Sequence, residues 1–320
     1  MIRDLQDNPN LIRRLIASSL WLPLLPTLQG CGARLTQLKN TTSPEAQALL
    51  MESATAHGLA AFSKINDLSI SYTGKWHTLV GKLQPVLVDS GFRGGSEERW
   101  LRSEHRVAQA HTGPKGTKQV VRNSSADSGD VMVWFNGEEA HDNERRAAAA
   151  LVVDGYSLFL LGPMLLALGA DGPRANGQPQ PVLQLAGTSN VVVGRHPYSC
   201  DVLRVHIEPG LGFSATDELE LYIDVKERLM RRVRFSLNGL ESTRGAIAEV
   251  DTFEHTTLQG VRWPTHFQER LVRPLPLSVH DWQLTGLDVN RGFSVADISG
   301  ATFVDKAIAP AKGFSQTDHY

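Results

Sequence analysis

The chain has 320 residues, a formal net charge of −2 at pH 7, and 41% hydrophobic residues. A nearly neutral balance argues against a nucleic-acid surface and against strong attraction to anionic lipid. The length leaves room for one large globular domain or two small ones, each with its own core.

The N-terminus has the features of a bacterial export signal. Three arginines among the first 14 residues precede an apolar run, Leu15 to Leu25, of about the length of a signal-peptide core. The tetrapeptide Leu28-Gln29-Gly30-Cys31 follows and resembles the lipobox of bacterial lipoproteins. This resemblance implies that Cys31 is lipidated, with acyl chains such as palmitate, and anchors the protein to a membrane.

Two alternative interpretations of this region fit the sequence less well. An amphipathic helix with a buried cysteine is disfavoured by Pro23 and Pro26, which interrupt a continuous helix. Arg13-Arg14 also raises twin-arginine export, although the flanking residues fit that motif poorly. We expect a signal peptide at residues 1–30 and a flexible tether at 31–43. The expected location is the cell envelope, facing the periplasm, on the outer membrane rather than the inner.

The folded part is predicted to begin with a helix. Ser43 can cap it, Pro44 suits its first turn, and apolar residues follow at helical spacing from Ala46 to Phe62. Alternating apolar and polar residues then predict a meander of strands. The predicted strands lie at Leu68–Thr73, Val86–Phe92, Arg99–Ala108, Lys118–Arg122 and Val131–Phe135, and the turn Asn136-Gly137 ends the series.

The most apolar stretch of the mature chain is Ala147–Ala170, which follows a charged segment, Glu138–Arg146, predicted to be helical. A membrane span needs about 20 apolar residues, and this run nearly qualifies. Asp154-Gly155 and Gly162-Pro163 interrupt it, so the pattern favours two short buried helices with a break near Gly162. Helices of this kind cover a sheet that cannot bury its own inner face.

A second series of strands is predicted after a loop rich in glycine and proline, Asp171–Pro181, which is a candidate subdomain boundary. The series comprises a strand containing Val202, Val205 and Ile207, followed by Leu219–Val225, Arg231–Leu237, Ala246–Thr252, Val261–Arg270 and Val279–Val289. Such spacing predicts an antiparallel sheet, and not the alternation of strands and helices of a parallel one.

Several short motifs together are similar to the LolA/LolB-like domains of periplasmic lipoprotein carriers. They are Tyr72-Thr73-Gly74-Lys75-Trp76, Trp100 with Arg102, Leu221-Tyr222-Ile223-Asp224 followed by Leu229-Met230-Arg231-Arg232, and Gly260-Val261-Arg262-Trp263-Pro264. The resemblance implies a mainly β (α+β) fold, an incomplete antiparallel β-barrel closed by helices around an apolar cavity. The expected domain covers residues 44–292 with a helical insertion at about 138–170, and residues 293–320 form a C-terminal tail. The insertion and the tail depart from the family pattern.

No catalytic, metal or cofactor motif stands out. Zinc-protease, paired-cysteine, nucleophile-elbow and phosphate-loop patterns are absent from the sequence. The 11 histidines lack metal-ligand spacing, and Cys200 is predicted to be a buried thiol. Asp224 is expected to sit at a turn or to pair with Arg231 or Arg232. The stripe of Arg231, Arg232 and Arg234 predicts a solvated sheet face in preference to an acid-binding cavity mouth.

Eight side chains are candidates for lining an apolar cavity. They are Tyr72, Trp76, Trp100, Trp134, Phe159, Leu161, Met164 and Trp263, and the same residues could equally form a packed core. The main hypothesis is therefore non-enzymatic binding of a lipid, an acyl chain or a lipidated protein. The alternatives are a structural or sensor lipoprotein that binds a protein partner through its sheet face, and an enzyme whose site is assembled from distant residues.

Overall fold

The computed structural model describes residues 41–124, 130–170 and 179–314. The predicted signal peptide and Cys31 lie outside these ranges, as do most of the tether and most of the loop at Asp171–Pro181. The helices are α1 (Pro44–His57), α2 (Leu59–Phe62), α3 (Thr78–Leu83), α4 (Pro85–Val88) and α5 (Asn143–Ala170). The strands are β1 (Asp67–Trp76), β2 (Gly95–Leu101), β3 (Arg106–Gly113), β4 (Gly116–Asn123), β5 (Val131–Phe135), β6 (Glu138–Glu139), β7 (Val182–Val193), β8 (His196–Ile207), β9 (Asp217–Asp224), β10 (Met230–Ser236), β11 (Ile247–Leu258), β12 (Val261–Arg273) and β13 (Leu277–Val289).

These strands form a single antiparallel sheet built from two meanders. β1 to β6 follow one another in order, as do β7 to β13, and the pairing of β1 with β13 joins the two series. The edge strands β6 and β7 do not pair with each other, so the sheet curves around its core without closing. The predicted mainly β fold, an incomplete antiparallel barrel closed by helices, is confirmed.

Helix α5 fills the concave side of the sheet. It lies in sequence between the two edge strands, and its apolar residues share one core with the inward residues of both meanders. Residues 143–168 are long and apolar enough to cross a membrane, but 78% of their most apolar window is buried inside the protein. A helix that is apolar on all sides is expected in such a position. The predicted break is confirmed at Gly162, whose φ of 41° and ψ of −118° interrupt the helix before Pro163.

Helix α1 begins as predicted and ends earlier. The Ser43 hydroxyl accepts a hydrogen bond from the Ala46 amide at 3.1 Å, and Pro44 occupies the first turn. The helix stops at Gly58, which has a φ of 100°. A β-carbon at Gly58 would lie 2.3 Å from the carbonyl oxygen of Gly260, so only glycine lets the helix turn this close to the hairpin between β11 and β12.

Three local predictions are wrong. Val86–Phe92 is not a strand, because Pro85 starts the short helix α4 directly after α3. Arg99–Ala108 is not one strand, because a turn at residues 102–105 separates β2 from β3. Glu138–Arg146 is not one helix, because Glu138 and Glu139 form β6 before α5 starts at Asn143. The long strand β7 was not predicted.

The C-terminal segment lies on the outer face of the sheet. From residue 293, where the sequence suggests a tail, Phe293, Ile298 and Ala307 pack against Leu101, Ala108 and Val121. The side chain of Arg99, which is 0% exposed, donates to the carbonyl oxygens of Ala307 and Ala309 at 3.0 and 2.7 Å. Residues 293–314 therefore form a second layer over β2, β3 and β4.

Each arginine of the stripe on the outer face forms an ion pair with a carboxylate. Arg231 is buried and pairs with Asp224, which is one of the alternatives predicted for this carboxylate. Arg232 pairs with Asp251 at 2.6 Å and Arg234 with Glu249 at 2.5 Å, and Arg270 joins both carboxylates. The stripe is thus an ion-pair network on the sheet, more buried than a simple solvated face. Cys200 is a buried free thiol, as predicted.

Candidate functional site

An apolar cavity of about 200 Å³ opens between α5, the α3–α4 segment and strands β10 to β13. Its apolar wall includes Leu151, Val152 and Phe159 from α5, and Phe235, Ala248 and Leu271 from the sheet. The α3–α4 segment covers one side with Val80 and Val88, which pack on Val279.

A pair of hydrogen bonds bridges the mouth of the cavity. The Gln84 amide donates to the Ser242 carbonyl oxygen at 3.1 Å, and the Ser242 hydroxyl donates to the Gln84 amide oxygen at 3.2 Å. Gln84 lies between α3 and α4, and Ser242 lies in the turn after β10. Both hydrogen bonds are exposed to solvent, so water competes for them and the α3–α4 segment is held only weakly at this point.

Arg93 brings a buried cation to the cavity wall. Its side chain is 6% exposed, and its Nη1 donates to the carbonyl oxygens of Leu87 and Val88 at 3.1 and 3.5 Å. Its Nη2 donates to the Tyr156 hydroxyl at 3.2 Å. The guanidinium therefore links the end of α4 to the middle of α5.

A column of stacked rings supports this guanidinium. Arg93 lies 4.5 Å from the ring centre of Trp76, which stacks on His280 at 3.8 Å. His280 in turn stacks on Trp282 at 4.7 Å, and Trp282 on Phe267 at 5.0 Å. Burial and the nearby Arg93 charge lower the pKa of His280 well below its usual value, so the imidazole is neutral. Its Nδ1 can accept a hydrogen bond from the Tyr156 hydroxyl, 3.4 Å away.

Glu269 also lines the cavity. It points inward from β12, in phase with Phe267 and Leu271. Burial raises the pKa of Glu269 to about 7, while the charge of Arg93 acts in the opposite direction. At neutral pH this carboxyl is consequently a mixture of its protonated and ionised forms.

A second set of polar groups lies inside the first meander. Gln109 donates to the Glu98 carboxylate at 2.6 Å, and its amide oxygen lies 3.3 Å from Nε2 of His111. Lys118 pairs with Asp89 at 2.8 Å, just after α4. Burial raises the pKa of Glu98 to about 7. In the described part of the chain, no group of three or more histidine, cysteine or acidic side chains is placed to hold a metal ion.

The structure distributes the eight candidate cavity residues over several environments. Trp76 and Phe159 line the cavity. Tyr72 is buried beside it, with its ring 5.4 Å from that of Tyr156. The other residues lie elsewhere: Trp100, Leu161, Met164 and Trp263 are in the packed core, and Trp134 is on the outer face beneath the C-terminal segment.

Two solved structures match the chain at low similarity. A LolA superfamily protein from Nitrosomonas europaea matches with 10% identity and a TM-score of 0.45, and a DUF1329 family protein from Desulfovibrio piger matches with 11% identity and a TM-score of 0.46. Each alignment covers 79% of this chain and 96% of the other. No family model matches the sequence. No curated protein matches it either.

The sequence patterns did not identify the polar residues of the cavity. Arg93 stands in a glycine-rich stretch, Gly91 to Ser96, which by itself indicates only a turn. Glu269 offered a clearer signal, because it occupies an inward position of a strand whose neighbouring inward residues are apolar. Tyr156 lies within the apolar run but is one of its few side chains with a hydroxyl group.

Proposed function

We propose that this protein is a lipid-anchored component of the cell envelope that binds an alkyl chain in the cavity between α5 and β10 to β13. The observation that carries the proposal is the apolar cavity itself, which the α3–α4 segment covers and which opens to the surface. The lipobox at Leu28–Cys31 supports anchoring through Cys31. The proposed action is binding without chemistry, and Trp76 and Phe159 are the proposed cavity residues from the sequence analysis.

The size of the cavity limits the ligand. Pockets for drug-sized molecules have volumes of about 300–1,000 Å³, and this cavity has about 200 Å³. A single slim chain, such as one acyl tail of a lipid or of a lipidated protein, fits that limit better than a bulky ring system. Each buried methylene contributes about 0.8 kcal/mol, so eight of them give about 6 kcal/mol before ordering costs. That energy corresponds to a dissociation constant of tens of micromolar.

The test is native mass spectrometry of the full-length protein carrying Cys31→Ala, so that no lipid is attached covalently. We expect an acyl-chain ligand to co-purify or to be taken up from added decanoic acid. Val152→Trp should abolish uptake, because Val152 is a half-buried wall residue and the indole would occupy the cavity.

Val225→Trp is the matched control, since Val225 is 41% exposed and lies away from the cavity. Uptake that survives Val152→Trp in a folded protein would refute the proposed cavity. Absence of any uptake by the parent protein would favour the alternative of a partner protein bound to the sheet face.

A further inference from the structure

Arg93 is a buried cation that does not use all of its N–H groups in hydrogen bonds within the described part of the protein. A guanidinium has five N–H bonds, and the acceptors of Arg93 are the carbonyl oxygens of Leu87 and Val88 and the Tyr156 hydroxyl. Within the described chain, its Nε–H and one N–H of Nη2 have no acceptor, and no carboxylate forms an ion pair with it. Burying a charge without a counter-ion is costly. An anion that entered the cavity would meet a cation that is already largely shielded from bulk water.

The guanidinium is also held in place before any ligand arrives. The ring of Trp76 supports one face of it, and the two α4 carbonyl oxygens and Tyr156 fix its rotation. Tyr156 is itself oriented, since its hydroxyl can donate to the neutral His280. A preorganised donor loses little entropy on binding. Arginine also matches the two-oxygen geometry of carboxylates and phosphates.

We infer that the amphiphile held by this cavity has an anionic head group, and that Arg93 binds this head group while the alkyl chain lies along the apolar wall. The inference rests on the proposed function, because it names the ligand class of the same cavity. Carboxylate and phosphate share the chemistry that Arg93 recognises. The opposite charge would be attracted to Glu269, so a cationic amphiphile is the competing ligand that the experiment must include.

Glu269 adds a dependence on pH. The charged and titratable groups around it are Arg93 from the turn after α4, Tyr156 from α5, its β13 neighbour His280, and Arg244 at the mouth. Below pH 7 the carboxyl is mostly protonated and can donate to an anionic head group. Above pH 7 it is an anion that repels the ligand and competes for Arg93. Binding of an anionic amphiphile should therefore weaken as the pH rises through about 7.

The decisive experiment is calorimetric titration of the full-length Cys31→Ala protein with decanoic acid, decan-1-ol, decylamine and inorganic phosphate at pH 6.5. We expect the acid to bind about tenfold or more tightly than the alcohol, as expected for a charge-assisted hydrogen bond. Equal affinities for acid and alcohol, or a preference for the amine, would overturn the head-group inference and leave the cavity proposal intact. Binding of phosphate as tight as that of decanoic acid would also overturn it, because the ligand would then be a free anion. If no alkyl probe binds, the proposed function itself fails.

Variants provide an independent measurement. Arg93→Met should remove the preference for the acid over the alcohol, whereas Arg195→Met should retain it, because Arg195 is exposed in the turn between β7 and β8 and does not line the cavity. Glu269→Gln should make the affinity for decanoic acid the same at pH 6.5 and pH 8. A preference for the acid that persists in a folded Arg93→Met protein would assign the head group to another residue.

Discussion

Glu98 illustrates how single residues carry the electrostatic character of the interior. Its carboxyl is 2% exposed, and its hydrogen-bond donor is the Gln109 amide. Burial raises its pKa to about 7 from an ordinary value of 4.5, and Gln109 and Arg99 offset part of this effect. Because its pKa in the folded protein lies above that of the unfolded chain, the contribution of Glu98 to stability is complete below pH 4.5. It is lost as the pH rises through about 7.

Replacing Glu98 with glutamine should therefore stabilise the protein at alkaline pH. The amide oxygen can still accept the bond from Gln109, and no buried charge forms. We expect the free energy of unfolding to rise by up to about 3 kcal/mol at pH 8, from about 1.4 kcal/mol per unit of pKa shift, and to change little at pH 4.5. Urea denaturation at the two pH values measures the difference.

The control for this prediction is Glu104→Gln, which changes the same kind of side chain in the exposed turn between β2 and β3. It should leave the pH dependence of stability as it is in the parent protein. If Glu98→Gln changed the free energy of unfolding by the same amount at both pH values, the change would come from packing and not from ionisation.

Among the elements, α5 depends on one polar anchor within its apolar sequence. The Asp154 carboxylate accepts hydrogen bonds from Nε and Nη2 of Arg122 on β4 at 3.2 and 3.1 Å. It also accepts one from the Gly212 amide at 2.8 Å. Asp154 thus ties the helix both to the first meander and to the loop before β9. The residue that interrupts the apolar run in the sequence fixes the position of the helix in the fold.

Asp154→Asn should destabilise the protein although it preserves the shape of the side chain. Arg122 is mostly buried, so losing the carboxylate leaves its charge without a partner. Removing one member of a buried pair costs about 3–5 kcal/mol, and we expect a value near the lower end because Asp154 retains some exposure. Thermal or urea unfolding of the variant and the parent protein would measure this loss of stability.

The double variant Arg122→Met with Asp154→Leu distinguishes the effect of the charges on stability from the effect of side-chain packing. Because it removes both charges, it should be less destabilised than Asp154→Asn alone. If the double variant were the less stable of the two, the hydrogen bond to Gly212 would outweigh the ion pair.

The elements that could be predicted from the sequence are those with a strong local signal. Ser43-Pro44 defined the start of α1, and Gly162-Pro163 defined the break in α5, because caps and helix breakers act within one turn. Val86–Phe92 misled the prediction, because its alternation of apolar residues is also satisfied by a short helix packed at the cavity mouth. Strand β7 was not predicted, because its outer positions are exposed and its apolar residues are separated by Gly187 and small polar residues.

For the whole molecule, the topology explains what the sequence could and could not reveal. The two meanders are local in sequence, so their strands were mostly visible, while the β1–β13 pairing that joins them is distant and left no local signal. The cavity, like the β1–β13 pairing, is formed by residues that are distant in the sequence. Arg93, Tyr156 and Glu269 come from three separate regions, and only the folded chain brings them to one wall.

The C-terminal segment shows that the outer face of the sheet is also part of the core. Ile298 is 0% exposed and packs in the cluster with Leu101 and Val121, whereas Ile308 is 63% exposed in the same segment. Ile298→Asp would place an unpaired charge among apolar side chains. Ile308→Asp would add a charge to a solvated surface.

We expect Ile298→Asp to lower the free energy of unfolding by more than about 3 kcal/mol, and Ile308→Asp to change it by less than about 0.5 kcal/mol. Urea denaturation of the full-length protein compares the two, and binding of a hydrophobic dye at low urea reports whether the outer cluster becomes exposed. If both variants were as stable as the parent protein, residues 293–314 would be a dispensable tail and not a layer of the fold. A large loss with Ile298→Asp alone would establish that the sheet is stabilised from both faces, by α5 inside and by the C-terminal segment outside.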